Sequence, residues 1–175
     1  MSSQSENEGF WDFSVRTYRT VGVPDACLSL QNDYDADVNM LLYCCWVGAC
    51  NGRFDGELFE RANDFSTRWA EHVVVPLRTA RKWMKLSGCS TEPVPTDPCM
   101  ALREKIKSVE FAAEKLQQQV LDSLVSLDDN RDESPQQVRR DAVANLDLYC
   151  EAIGLDVCDD VRQKFSVIID AAFPA

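Results

Sequence analysis

Residues 38–50 read VNMLLYCCWVGAC, and this stretch decides the fold. It is the longest nearly apolar run in the chain, interrupted by Asn39 and Gly48. Asp37 precedes the run as a helix cap, and Gly52 follows it as a stop signal. Because a helix that is apolar nearly all round has to be covered on every side, we expect it to be the central core helix. It is too short to span a bilayer.

The segments on either side of this run also have the apolar spacing of helices. A first helix is predicted from Phe10 to about Gly22, and a short second helix begins at Pro24. From the cap Asp55 an apolar stripe continues past residue 80, but Pro76 interrupts it. Since proline lacks a backbone N–H and crowds the preceding turn, we expect a kink or a break near residues 74–76.

The second half of the chain begins with a proline-rich segment, GCSTEPVPTDP, at residues 88–98. A long helix capped by Asp97 follows, then a helix from the cap Ser134 to Gly154, and a last helix capped near Asp156. The long helix carries an apolar stripe at helical spacing. Its members are Leu102, Ile106, Val109, Ala113, Leu116, Val120, Leu124 and Leu127.

These patterns predict an all-α fold, a compact bundle of about seven or eight helices. Residues 1–9 are expected to be a flexible N-terminus, and residues 10–88 a helical core region. Residues 89–98 are expected to connect it to an acidic three-helix region, 99–175, that packs on the first part. We expect one domain overall.

The charge balance excludes some partners. The 175 residues include 18 Lys and Arg and 29 Asp and Glu, which gives a net charge of −11. Bulk binding to nucleic acid or to an anionic membrane is therefore not expected. Residues 1–9 have neither the basic nor the apolar part of a secretory signal, so we expect a cytoplasmic protein.

The eight cysteines do not form a metal-binding pattern. The chain has no C-x-x-C pair, and its single histidine is His72. We therefore expect free thiols and no metal site, with Cys89 and Cys99 the more accessible because they flank the proline-rich segment. Residues 33–39, DYDADVN, resemble the start of a calcium loop, but Val38 and Cys44 occupy positions that need glycine and glutamate.

Catalytic motifs are also missing from the sequence. There is no G-x-S-x-G, Walker loop, G-x-G-x-x-G or H-E-x-x-H, so no catalytic residue and no cofactor are predicted. An enzyme would have to use Asp35, Asp37 or His72. Asp35 and Asp37 are equally typical of helix caps, and His72 of an ordinary packed or surface position.

A basic stripe is the main candidate for a binding surface. Arg78, Arg81, Lys82 and Lys85 share one helix face, and Trp83 lies beside them. Residues 1–88 contain nine basic and twelve acidic side chains, whereas residues 89–175 contain nine and seventeen. The stripe therefore either pairs internally with the acidic second half, or stays exposed and binds an anionic ligand or an acidic partner.

A longer pattern resembles an uncharacterised bacterial family, a domain of unknown function. It comprises FWxFS from Phe10, ACLxLQ ending at Gln31, DVNxLL from Asp37, Trp46, and VVxPLRxxR ending at Arg81. Residues 110–114 and 145–149 are similar to its weaker carboxy-terminal part. The resemblance implies a small bacterial cytosolic protein and no established activity. It also draws attention to the polar members Gln31, Asp37, Asn39, Arg78 and Arg81.

The leading hypothesis is a non-catalytic helical module for protein interaction, adaptor function or regulation. Its partner is expected to be another protein with an acidic surface. The alternative is a regulator that binds a small molecule or nucleotide through the same arginines. The candidate binding residues are Gln31, Asp37, Asn39, Arg78, Arg81, Lys82, Trp83 and Lys85.

Overall fold

The computed structural model describes residues 8–86, 94–126 and 134–174. These ranges form eight α-helices and one π-helical turn, with no strand among the described residues, which confirms the predicted all-α fold. The elements are α1 (Phe10–Tyr18), α2 (Val23–Tyr34), α3 (Val38–Cys50), α4 (Gly56–Trp69), the π-helical turn (Ala70–Val74), α5 (Val75–Leu86), α6 (Thr96–Ser123), α7 (Pro135–Ile153) and α8 (Asp159–Ala172).

The chain divides into two compact units. The first unit runs to Asn63 and resumes at Gln118, so it holds α1, α2, α3, α7 and α8 together with the adjoining ends of α4 and α6. The second unit is Asp64–Gln117. The proline-rich connection predicted at 89–98 falls within this second unit, and its residues 89–93 lie outside the described residues.

Helix α3 is the core of the first unit, as its composition predicts. It is buried along nearly its whole length and packs most extensively against α7. An aromatic cluster forms on one side of it, where the ring of Phe10 lies 5.2 Å from that of Tyr43 and 5.3 Å from that of Trp46. Burying three large aromatic rings together is a major contribution to the stability of a unit of this size.

Asn145 of α7 forms hydrogen bonds to the backbone of α3 and of the loop that follows it. Its Nδ2 donates to the carbonyl oxygens of Cys44 (3.2 Å) and Gly52 (2.9 Å), and its Oδ1 accepts from the backbone N–H of Phe54 (2.8 Å). The side chain is 1% exposed. It therefore supplies a partner to the Gly52 carbonyl and the Phe54 N–H, which lie outside the helices, and adds a second bond to the Cys44 carbonyl of α3, which is why a polar residue is stable at this buried position.

The second unit contains the position of Pro76. The predicted interruption is a π-helical turn, Ala70–Val74, within a helical run that continues from α4 into α5. The backbone N–H of Val75 donates to the carbonyl of Ala70, five residues back. Widening one turn gives room for the Pro76 ring, which in a regular α-helix would clash with the carbonyl of His72.

The part of α6 that belongs to the second unit is held to this run by polar contacts. Trp69 Nε1 donates to the carbonyl of Ala113 (3.0 Å), and the amide of Gln117 donates to the hydroxyl of Ser66. Among the described residues, no helix combines the length and the apolarity that a membrane span needs.

Several boundaries and one thiol differ from the predictions. Helix α2 starts one residue before Pro24 and is 12 residues long, and the N-cap of α8 is Cys158, two residues after Asp156. Cys99 takes part in a disulfide bond, so the expectation of free thiols is wrong at this position. The caps Asp37, Asp55 and Ser134 are confirmed by their hydrogen bonds to backbone N–H groups.

Candidate functional site

The start of α3 is a structural junction within the first unit. Asp37 Oδ1 accepts from the backbone N–H of Asn39 (2.9 Å) as a helix cap. The backbone N–H of Asp37 itself donates to the hydroxyl oxygen of Tyr149 (2.9 Å), which lies on α7. Burial is the main cause that raises the pKa of Tyr149, so the phenol stays protonated. The hydrogen bonds of Asp37 and Tyr149 therefore fix the N-terminus of α3.

Asn39 points into the interior of the first unit. It is 7% exposed, and its Oδ1 accepts from the amide of Gln118 (2.7 Å). The buried Oε1 of Gln118 has no hydrogen-bond partner among the described residues. Gln31 is half-buried on α2. Asn39 is thus part of the buried interior of the first unit.

The two arginines of the basic stripe are paired within the second unit. Arg78 Nε donates to Glu110 Oε1 (3.1 Å), and its Nη2 donates to Glu114 Oε1 (2.8 Å). Arg81 forms a two-point ion pair with the same Glu110. The side chains of Arg78 and Arg81 are 18% and 22% exposed. These two arginines therefore pair internally with acidic residues of the second half of the chain, which is one of the two alternatives that the sequence left open.

Glu110 is the centre of this arginine cluster, defined as Arg78, Arg81, Glu110 and Glu114. Burial of the carboxyl would raise its pKa, but the hydrogen bonds from Arg81 and Arg78 outweigh that effect and lower it. The hydrogen bond to Glu110 correspondingly raises the pKa of Arg81. Arg81 and Glu110 are therefore both charged at neutral pH, and the cluster links α5 to α6.

The remaining members of the stripe are exposed. Lys82 and Lys85 lie on the solvent side of α5, and the Trp83 side chain between them is 55% exposed. We call these three residues the α5 patch. Of the two alternatives for the stripe, internal pairing thus applies to Arg78 and Arg81, whereas Lys82 and Lys85 are exposed.

The family pattern mainly marks the core and its internal ties. Phe10, Leu30 and Trp46 are buried, and the polar member Arg78 meets Glu110 of the weaker carboxy-terminal part. Asp37 likewise meets Tyr149. The presence of polar residues in two distant parts of one family pattern was the available sequence signal for these pairs.

The candidate acids Asp35 and Asp37 lie between α2 and α3, and the single histidine lies on the π-helical turn. Asp35 ends α2 in a left-handed conformation (φ 55°), and Asp33 accepts from the hydroxyl of Ser29 (2.6 Å). His72 is exposed on the π-helical turn. Among the described residues, no group of three or more His, Cys, Asp or Glu side chains is arranged to hold a metal ion.

Cys158 is the chemically distinctive residue that the sequence reasoning missed. It occupies the N-cap position of α8 and is exposed, and its sulfur lies 3.9 Å from the hydroxyl of Tyr34. The backbone hydrogen bond from Val161 is the main cause that lowers its pKa. Tyr34 also donates to Asp160 (2.8 Å). A cysteine directly before two aspartates at a helix start was the signal for it.

A cavity of about 140 Å³ lies in the first unit, between α1, α3 and the end of α8. Its walls include Phe13, Arg16, Trp46 and Phe173. The Arg16 guanidinium is held by Glu8 through contacts of 2.8–3.2 Å. This arginine is therefore already neutralised where it borders the cavity.

Comparison with known proteins gives one family match. A family model described as "Protein of unknown function (DUF2390)" matches residues 9–121. No curated protein and no solved structure gives a significant match.

Proposed function

The chain belongs to the DUF2390 family of proteins of unknown function, and from its geometry we propose that it is a non-catalytic helical module that binds an acidic surface of another protein. The observation that carries the proposal is the exposure of Trp83, which is 55% exposed between two exposed lysines. Tryptophan is the residue type most enriched at the energetic centres of protein interfaces.

The arginine cluster fixes the helix that carries the α5 patch. Arg78 and Arg81 lie on the same helix and are tied to Glu110 on α6, so α5 is held while Lys82, Trp83 and Lys85 face outward. A pre-ordered surface loses less conformational entropy on binding. The lysines supply steering and charge pairing toward carboxylates, and salt weakens both effects.

Two variants test the patch: Trp83→Ala, and the double change Lys82→Glu with Lys85→Glu. Each tagged variant is recovered from the native host, and the partner that accompanies the unchanged protein is quantified by mass spectrometry. We expect partner recovery to fall at least tenfold for both variants, with the melting temperature nearly unchanged because solvated charges contribute little to folding.

A matched control changes two exposed arginines of the first unit, Arg140→Glu and Arg162→Glu, which alters the net charge by the same amount. Its partner recovery is expected to stay normal. Unchanged recovery with the two α5-patch variants, or an equal loss with the control, contradicts the proposal.

A further inference from the structure

Helix α6 carries a row of half-exposed apolar side chains. Leu102, Val109 and Leu116 are 49%, 53% and 46% exposed and follow one another at intervals of seven residues. Residues spaced by seven lie on one face of a helix. The buried face of the same helix, with Cys99, Glu110, Ala113 and Gln117, lies beside this row. The sequence stripe on α6 is thus only partly a core stripe.

The positions between these residues complete the seam of a helix pair. Lys105 and Ala112 are exposed, and with the row they give the alternating spacing of three and four residues, 102, 105, 109, 112 and 116. In helix pairs, such a seam accepts the side chains of a facing helix between its own. We call these five residues the α6 seam. Its shape suits a second helix rather than a small ligand.

We propose that the α6 seam binds an amphipathic helix of a partner protein that carries a carboxylate opposite Lys105. The charge of the seam selects this occupant. Lys105 lies between Leu102 and Val109, so a helix that covers the row also takes its ammonium group out of water. Removing a charge from water is costly unless an opposite charge meets it. An Asp or Glu on the facing helix meets this requirement.

A second copy of this chain fits the seam poorly. Parallel pairing places Lys105 against Lys105, and antiparallel pairing about Val109 places it against Ala112, so neither arrangement gives the ammonium group a carboxylate within the seam. The seam is a surface distinct from the α5 patch, and the proposal does not depend on that patch.

Two synthetic peptides test the proposal. Both are amphipathic helices with the same leucine seam, one with glutamates and the other with lysines at the flanking positions. We expect the acidic peptide to bind at least tenfold more tightly in fluorescence anisotropy at low salt. Val109→Glu should weaken its binding at least tenfold, and Lys105→Glu should reverse the preference between the peptides.

Phe111→Glu is the matched control, because Phe111 is equally exposed on α6 but lies outside the seam. It should leave peptide binding unchanged, as should Trp83→Ala, which separates this proposal from the α5 patch. Circular dichroism checks that each variant is folded. Equal binding of both peptides, no binding of either, or a dimer in sedimentation that Val109→Glu dissolves would overturn the proposal.

Discussion

Gly48 of α3 lies directly against the backbone of Ala142 on α7. A methyl group at position 48 would come within 2.7 Å of the Ala142 nitrogen and 2.8 Å of its Cα. Backbone atoms cannot move aside as a flexible side chain can. The absence of a side chain at Gly48 therefore sets how closely the two most extensively packed helices of the first unit approach.

The first prediction follows from this contact. Gly48→Ala should lower the free energy of unfolding by about 1–3 kcal/mol, because the added methyl forces α3 and α7 apart. Gly56→Ala is the control, since a methyl there meets nothing within 4 Å. It should be neutral or slightly stabilising. Urea titration followed by circular dichroism measures the free energy of unfolding of both variants. Equal stability of the two would show that α3 and α7 can accommodate the methyl group at position 48.

The second prediction concerns Asn145. Asn145→Leu leaves the Phe54 N–H and the carbonyls of Cys44 and Gly52 without their side-chain partner. We expect a loss of about 2–4 kcal/mol, because each buried group that loses its hydrogen bond costs about 1–3 kcal/mol. Gln136→Leu, at an exposed position of the same helix, should change stability by less than about 0.5 kcal/mol.

The third prediction uses the acid dependence of the arginine cluster. The pKa of Glu110 is lower in the folded protein than its ordinary value of 4.5, so the stability that it contributes is complete above that pH and is lost as the pH falls below it. Glu110→Gln should cost about 1–3 kcal/mol at pH 7 and proportionally less at low pH.

Glu71→Gln is the control for this experiment, because Glu71 is exposed in the same unit. Thermal melts of the three proteins from pH 7 to pH 3 measure the effect. If the difference between Glu110→Gln and the unchanged protein stays constant over this range, the ion pairs do not carry the contribution.

Local features of the fold were predictable, and long-range pairings were not. The apolar run of α3 and the caps Asp37 and Ser134 follow from neighbouring residues, and the structure confirms them. The partners of Arg78 lie 32 and 36 residues away, and their pairing depends on how α6 aligns with α5. Helical periodicity gives the face of a residue but not that alignment.

The same limit applied to the candidate site. Spacing placed the four basic residues on one face, but it could not show that Glu110 lies opposite Arg78 and Arg81. Spacing likewise could not identify the buried partner of Asn39, because Gln118 is 79 residues away. What spacing could show, that Lys82 and Lys85 lie on the helix beside Trp83, holds in the structure.

The last prediction concerns the thiol of Cys158. The residue is exposed and its pKa is lowered, whereas burial raises the pKa of Cys27 and Cys45 to about 12 and that of Cys150 to about 11. Because the thiolate is the reactive form, iodoacetamide should modify Cys158 first in the folded protein. The rate at which iodoacetamide modifies Cys158 should fall only when the pH drops below the usual pKa of a cysteine thiol.

Two variants separate exposure from hydrogen bonding as the cause. Cys158→Ser should remove the fast modification, as read by mass spectrometry of the labelled peptides. Tyr34→Phe keeps the thiol exposed but removes a hydrogen bond that lowers its pKa, so the pH midpoint of the labelling rate should move upward. An unchanged midpoint would mean that the N-terminus of α8, through the backbone N–H of Val161, is sufficient to stabilise the thiolate.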